Sequence, residues 1–145
     1  MTKTDIENDF GRIWPAHVEN FTWLLIQCRR HFDGDLDRLL VLSVIGDRTL
    51  AAKNVPKNFT VQDLGTLKAK IIPREPINLQ SIADFSGIPR ETVRRKLRDL
   101  TALGWVERDE FGNFAATQKA ATDLAPLTEI GISYLVKLKA VLSPG

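Results

Sequence analysis

The chain has 145 residues, of which 20 are basic and 18 acidic, so its formal net charge is only +2. This length suits one domain, and 43% hydrophobic and 26% charged residues are typical of a globular protein. These numbers exclude a polycation, and the single cysteine, Cys28, excludes an internal disulfide or a cysteine-based metal site. The apolar runs are too short to span a bilayer, and the polar N-terminus is unlike a signal peptide. We therefore expect a cytoplasmic protein with no membrane partner.

Two long helices are predicted within residues 1–53. Pro15 suits the first turn of the first helix, and Gly34 ends it. The second helix, about 35–52, is capped by Asp35 and is apolar nearly all round, so we expect it to be central and to pack against a second subunit as well. In the first helix, apolar residues recur at steps of three or four: Val18, Phe21, Leu25, Cys28 and Phe32.

Three further helices are predicted before residue 104. The first, roughly 61–71, has one apolar side and is broken by the "PREP" segment at 73–76. The second, 79–86, is capped by Asn78 and ends at Gly87, a residue suited to a left-handed conformation. The third covers about 90–103 and ends at Gly104. Its predicted buried side consists of Val93, Leu97, Leu100 and Leu103.

The pattern changes after Gly104. The segment "WVERDEFGNFAAT" at 105–117 predicts two short strands around a turn that contains Gly112 and Asn113, which is a β-hairpin. Residues 118–142 return to a helical pattern that Pro126 kinks or restarts. The fold class is therefore mainly α with one small hairpin. We predict a single domain of residues 1–145, with N-terminal helices in 1–53 and a C-terminal helical segment in 118–145.

Positive charge is concentrated in the helix at 90–103. From Arg90 to Arg98 five of nine residues are basic, and Glu91 alone opposes them. A basic run on a helix is usually a solvated face. Here it lies on the second helix after a tight turn and before a hairpin, which is the element order of a winged helix-turn-helix. That context favours binding to the DNA major groove.

The segment "LQSIADFSGIPRETVRRKLRDLTALGWVER" resembles the DNA-reading part of bacterial winged-helix regulators of the MarR and GntR types. The similarity is strong over about 30 residues and looser out to Thr117. Residues 60–117 would thus form a winged helix-turn-helix, and helices on both sides would build a dimer, as in MarR-type proteins. GntR proteins usually carry a separate effector domain after this part. The matching positions are Leu79, Ile82-Ala83, Gly87-Ile88, Thr92-Val93, Leu97, Leu100, Gly104 and Val106.

Two positions depart from the resemblance. The reading helix begins at Pro89, where Ser or Thr usually supplies a capping oxygen. MarR-type wings usually carry an arginine near the tip, whereas this tip contains Asp109 and Glu110, which would repel phosphates. The wing would then stay off DNA, or only Arg108 at its base would touch it.

These observations predict a sequence-specific DNA-binding transcription regulator, a homodimer that reads a pseudo-palindromic operator with helix 90–103. Arginine binds guanine edges bidentately, and Glu91 can accept a hydrogen bond from cytosine. Lys96 and Arg98 are assigned to phosphate contacts or to plain surface, and Lys68, Lys70 and Arg74 to weaker additional phosphate contacts. The predicted DNA-binding residues are Arg90, Glu91, Thr92, Arg94, Arg95, Arg98 and Arg108.

Three other interpretations of the sequence were weighed against DNA binding: a protein–protein module, a calcium loop and a redox thiol. Winged helices also serve as protein–protein interaction modules that do not contact DNA. The acidic wing tip favours this alternative. The carboxylates in "HFDGDLD" at 31–37 lack the glycine and glutamate of a calcium loop, so helix punctuation is the expectation. Cys28 is expected to be a buried thiol, with a redox switch as the alternative. No catalytic, metal or cofactor motif is present, so an enzyme is not expected; an unidentified small-molecule effector is possible.

Overall fold

The computed structural model describes residues 1–144 and has eight α-helices and two strands in that range. Two short 3-10 turns lie between the third and fourth helices. The helices are α1 (Lys3–Asn8), α2 (Phe10–His31), α3 (Leu36–Thr49), α4 (Leu67–Lys70), α5 (Leu79–Ser86), α6 (Arg90–Ala102), α7 (Gln118–Asp123) and α8 (Ala125–Leu142), and the strands are β1 (Val106–Arg108) and β2 (Phe114–Ala116). The fold class predicted from the sequence, mainly α with a hairpin in a winged helix-turn-helix order, is confirmed.

The chain forms two compact units, Met1–Gly34 with the chain from Ala125 onward, and Asp35–Leu124. In the first unit α2 packs against α8, and the Nη1 of Arg12 donates to the carbonyl of Val141 over 2.7 Å. The rings of Phe21 and Tyr134 lie 6.3 Å apart. The two helices are therefore antiparallel. The predicted segments 1–53, 60–117 and 118–145 stay a prediction of domain organisation.

The second unit is built around α3. This helix packs against α5, α6 and β2 and contributes Val41 and Ile45, which are fully buried. Ile82 of α5 and Val93 of α6 are also inaccessible to solvent. The prediction that α3 is central to its core is confirmed, although Leu40 on its other side is exposed. Asp35 caps α3 by accepting from the backbone N–H of Arg38, as expected for helix punctuation at 31–37.

The segment between α3 and α5 differs from the prediction. No continuous helix covers 61–71: a 3-10 turn at Val61–Asp63 is followed by the single helical turn of α4. Gly65 has a φ of +82°, outside helical values, and Thr66 starts a new helix by capping it. The predicted apolar side is consequently not buried at Leu67 and Ile71, which are both exposed.

Three smaller differences concern helix ends. Thr2 and Asp5 form a reciprocal capping box that starts the unpredicted α1. Pro15 lies inside α2 rather than in its first turn, since α2 begins at Phe10. Leu103, predicted to be buried, is exposed because α6 ends at Ala102 and Gly104 turns the chain with a φ of +75°.

Candidate nucleic-acid interface

Helices α5 and α6 are joined by the tight turn that the sequence predicts. Gly87 has a φ of +75° and its N–H donates to the carbonyl of Ala83 over 2.9 Å, which ends α5. Ile88 after it is buried. Helix α6 then buries Val93, Leu97 and Leu100 on one side. Its opposite side is thereby left for solvent, as a helix that enters a DNA groove requires.

The exposed side of α6 faces a cleft whose other wall is the wing, the hairpin of β1 and β2. Four arginines converge there, three from α6 and one from the end of β1, and no carboxylate within residues 1–144 lines it. The cleft is wide and open, with Asn78 and Gln80 from the start of α5 at its edge. Such a concentration of guanidinium groups suits a phosphate backbone. The four arginines are Arg90, Arg94, Arg98 and Arg108.

The reading-helix arginines are oriented by neighbours while staying exposed. The Nε of Arg94 lies 3.0 Å from Oε1 of Glu91, with 45% of the arginine side chain still accessible. The Nη1 of Arg90 donates to the side-chain oxygen of Gln80. An exposed ion pair of this kind contributes at most about 1 kcal/mol, so a phosphate or base can replace Glu91 as the partner.

The predicted site residues do not all lie at the cleft. Glu91, Thr92 and Arg95 belong to α6 but are not among the cleft-lining residues. The Nη2 of Arg95 is 3.4 Å from the hydroxyl of Thr92 on the same helix. The side chains that converge on the cleft are those of Arg90, Arg94, Arg98 and Arg108. Arg95 is exposed on the same helix but does not line the cleft.

Lys96 lies elsewhere, and its assignment to phosphate contact or plain surface is wrong. Its Nζ lies 2.8 Å from Oδ2 of Asp35, and each side chain is only 19% exposed. Arg38 reaches Asp35 and Asp99 over 3.4 Å each. Burial alone would raise the pKa of Asp35, but hydrogen bonds from Lys96 and from the N–H of Arg38 hold that pKa below its ordinary value. This cluster fastens α6 to the start of α3.

The weaker phosphate candidates before α5 also have carboxylate partners. The Nζ of Lys68 lies 3.3 Å from Asp63, and Nη1 of Arg74 lies 3.2 Å from Glu107 on β1. Both basic side chains remain substantially exposed. The Arg74–Glu107 pair therefore joins the segment before α5 to the base of the wing.

Within the second unit the wing is held to α3 by a contact that the sequence did not reveal. The hydroxyl of Thr49, a buried residue at the end of α3, accepts from the N–H of Ala116 over 2.9 Å and donates to the carbonyl of Ile45. The N–H of Phe114 also donates to the carbonyl of Ile77 over 2.9 Å. Both hydrogen bonds start from β2, so the hairpin is attached along the outer edge of this strand.

The cysteine and the histidines, which could have formed other sites, have local structural contacts. Cys28 is half-buried on α2, and burial raises the pKa of its thiol. The two histidines have local contacts as well. The ring of His17 lies between those of Trp14 and Phe21, and the Nδ1 of His31 lies 2.8 Å from the carbonyl oxygen of Gln27. Within residues 1–144 no three acidic, histidine or cysteine side chains are grouped to hold a metal. No helix in that same range is long and apolar enough to cross a membrane.

The segment that contains α5 and α6 is similar to a known protein family. Residues 73–110 match the model of the IclR helix-turn-helix domain, and they contain α5, the turn at Gly87, α6 and the first half of the wing. No curated protein and no solved structure gave a significant match.

This match is with a family other than MarR or GntR. The predicted winged helix-turn-helix regulator is therefore supported, while its MarR-like and GntR-like features are not confirmed. The matched segment contains both helices of the motif and all four arginines that line the cleft. The chain is thus similar to IclR-type helix-turn-helix domains over residues 73–110. This similarity and the fold together support DNA binding and transcription regulation.

Proposed function

We propose that this protein is a homodimeric transcription regulator that reads a pseudo-palindromic operator in double-stranded DNA with α6. The observation that carries the proposal is the convergence of Arg90, Arg94, Arg98 and Arg108 on one open cleft beside the groove-facing side of α6. Phosphate neutralisation by such residues provides most of the affinity, and contacts from the helix to base edges provide sequence choice.

The proposed DNA-binding residues divide into base-contacting and phosphate-contacting groups according to their position along α6 and the wing. Arg90, Glu91 and Thr92 form its first turn, the part of a reading helix that approaches base edges. Arg94 and Arg95 follow one turn later and reach bases or the adjacent phosphates. Arg98 and Arg108, which lie farther along the cleft, bind phosphate oxygens. An arginine set bidentately on guanine contributes about 1–3 kcal/mol to discrimination between bases.

Dimerisation through the first unit is supported by an exposed apolar face on α2. Phe10, Trp14, Val18, Phe21 and Leu25 are each 41–49% accessible, and they recur at steps of three or four. Ring contacts run from Phe10 through Trp14 and His17 to Phe21, so the face is continuous. On α8, Leu135 and Val136 are also exposed. A continuous apolar face of this kind favours burial against a second copy.

The sharpest experiment is selection of bound sequences from random duplex DNA with the full chain. Two related half-sites about one helical turn apart are expected, because a twofold dimer presents two copies of α6. Enrichment of single half-sites would contradict the dimer, and no enrichment would contradict sequence-specific reading. An unidentified small-molecule effector stays a proposal without an assigned site.

The second candidate is a winged-helix module that binds protein instead of DNA. The observation in its favour is the wing tip, where Glu110 is exposed beside the arginine cleft. Such a complex, held by apolar contacts, would respond little to salt, whereas DNA binding weakens steeply as salt rises.

A further inference from the structure

The segment between α3 and α5 forms a long loop, residues 53–75, whose two ends are tied together. Nζ of Lys53 lies 2.9 Å from Oε1 of Glu75, and the side-chain amide of Asn54 donates to the carbonyl of Pro73 over 2.9 Å. Long loops inside a compact domain are uncommon, and those closed at their ends usually carry a function. The family match begins at residue 73, so the helix-turn-helix motif does not account for this loop.

Helix α4, in the second half of this loop, carries two exposed aliphatic side chains. Leu67 is 72% accessible and Ile71 is 81% accessible. They are four positions apart with helical backbone between them, so they lie on one side of the turn. Lys70, next to Ile71, is exposed as well. Leu67, Lys70 and Ile71 together are called the α4 patch below.

The α4 patch carries a positive charge that the loop does not balance. Both carboxylates of the loop are already paired, Asp63 with Lys68 over 3.3 Å and Glu75 with Lys53 over 2.9 Å. Among residues 1–144 the side chain of Lys70 has neither an ion-pair nor a hydrogen-bond partner. A partner that complements this patch therefore combines an apolar group with a negative charge.

The tip of the wing offers that combination. Phe111 is 79% exposed. Glu110 before it is exposed too, and its side chain is unpaired within the part of the chain that the structure describes. Oδ1 of Asp109 accepts from the N–H groups of Phe111 and Asn113, each over 2.9 Å, which closes the turn. The aromatic ring and the free carboxylate are thus presented by a turn of defined shape.

We infer that the wing tip of one copy of this chain binds the α4 patch of another copy. Phe111 packs on Leu67 and Ile71, and Glu110 pairs with Lys70. Within one copy the tip does not cover the patch, because all three apolar side chains are at least 72% exposed. The contact joins two different surfaces, so it repeats from copy to copy instead of closing on a twofold axis. This association goes beyond the proposed function.

A contact of this size is weak. It covers much less than the roughly 800 Å² per partner of a stable complex, so we expect a dissociation constant of about 0.1–1 mM. The proposed dimer is then unaffected at micromolar concentration. Copies bound side by side on one duplex have a much higher effective concentration, so the contact would link neighbouring sites there.

Sedimentation velocity of the full chain from about 10 µM to about 1 mM tests for this association. The sedimentation coefficient of the wild type should rise above its value at micromolar concentration. Phe111→Ala should weaken the association about tenfold, because it removes the ring that covers both aliphatic side chains. Phe85→Ala is the matched control: Phe85 is 67% exposed on α5 beside Arg48, and its loss should change the association by less than about twofold.

Reversal of charges tests whether Glu110 and Lys70 meet. Glu110→Lys and Lys70→Glu should each weaken the association about tenfold, because each places like charges opposite one another. An equimolar mixture of the two variants should restore it, since the positive tip of the first variant faces the negative patch of the second. Asp47→Lys makes the same charge change at a side chain that is 70% exposed on α3, and it should stay within about twofold of the wild type.

Three results would overturn the inference. The first is a wild-type sedimentation coefficient that stays at its micromolar value up to about 1 mM. The second is a mixture that associates no better than its two components. The third is a Lys70→Glu variant that associates like the wild type but binds duplex DNA more weakly, which would assign Lys70 to phosphate. The proposed function would survive each of them, because duplex binding by α6 is measured separately.

Discussion

Lys96 Nζ lies 2.8 Å from Asp35 Oδ2, and this pair joins the middle of the reading helix to the first residue before α3. The same carboxylate caps α3 by accepting from the N–H of Arg38 over 2.9 Å. One side chain thus starts the central helix and fixes α6 against it. The basic residues of α6 consequently have two roles, since Lys96 faces a carboxylate while Arg94 and Arg98 face the cleft.

Two substitutions of Asp35 should separate its contribution as a helix cap from its contribution as an ion-pair partner. Asp35→Ala removes the cap and the ion pair and should lower the free energy of unfolding by about 2 kcal/mol. Asp35→Asn keeps a capping oxygen and should cost about half as much. Urea unfolding at fixed protein concentration measures both. Asp37→Ala, at an exposed position in the first turn of α3, is the control and should change stability by less than about 0.5 kcal/mol.

The same carboxylate predicts a pH dependence. Because the pKa of Asp35 is held below its ordinary value of 3.8, its contribution to stability is fully present above that value and is lost as pH falls through the depressed pKa. The gap in unfolding free energy between wild type and Asp35→Asn should therefore be constant near neutral pH and shrink at strongly acidic pH. A gap that grew on acidification would contradict the assignment.

Thr49→Val should weaken the attachment of the wing. Valine is similar in shape but leaves the N–H of Ala116 without the hydroxyl that accepts from it, so we expect a loss of about 1–3 kcal/mol in thermal or urea unfolding. Thr101→Val is the matched control, because within residues 1–144 its hydroxyl bonds only the carbonyl of Leu97, one turn before it on α6. Equal effects of the two substitutions would show that the Thr49 contact has no special role.

Gly87→Ala should destabilise the turn between α5 and α6 by about 1 kcal/mol, because φ is +75° there. A Cβ at Gly87 would meet nothing within 4 Å, so backbone strain alone is measured. Gly46 is the matched control: it lies within α3, and a Cβ there would likewise meet nothing within 4 Å. Gly46→Ala should stabilise the protein by about 0.5–1 kcal/mol. The same sign for both variants would contradict the conformational argument.

Val18→Lys should convert the proposed dimer to monomer. It places a charge at the middle of the exposed apolar face of α2, and an unpaired charge in an apolar interface is costly. Sedimentation equilibrium measures the change. Leu67→Lys, on the exposed α4, should leave the association unchanged. A wild-type protein that is monomeric at all concentrations would contradict dimerisation through this face.

The elements that the sequence predicted well carry strong local signals. Asn78 as a cap, Gly87 at a left-handed turn and the Val93, Leu97 and Leu100 spacing define α5 and α6 within a short stretch. The prediction of a continuous helix over 61–71 is wrong for a local reason too. Gly65 adopts a positive φ and interrupts an apolar spacing that is otherwise helical.

The contacts that the sequence could not predict join distant residues. Lys96 and Asp35 are 61 positions apart, and Thr49 and Ala116 are 67 apart, so no periodicity relates them. In the wing turn, Oδ1 of Asp109 accepts from the N–H of Phe111, a contact that the sequence could have indicated, since aspartate at the start of a turn often accepts from the backbone N–H two residues on. That its negative charge repels phosphate stays a prediction.

Duplex binding as a function of salt tests the central claim, that α6 and the wing form a DNA-binding cleft, most directly. The logarithm of the affinity should fall linearly with the logarithm of salt concentration, and Arg94→Ala and Arg98→Ala should each weaken binding and lower the slope by about one. Lys57→Ala, in the exposed loop before α4, should change neither. Affinity that is insensitive to salt, or equal slopes in wild type and arginine variants, would contradict the account.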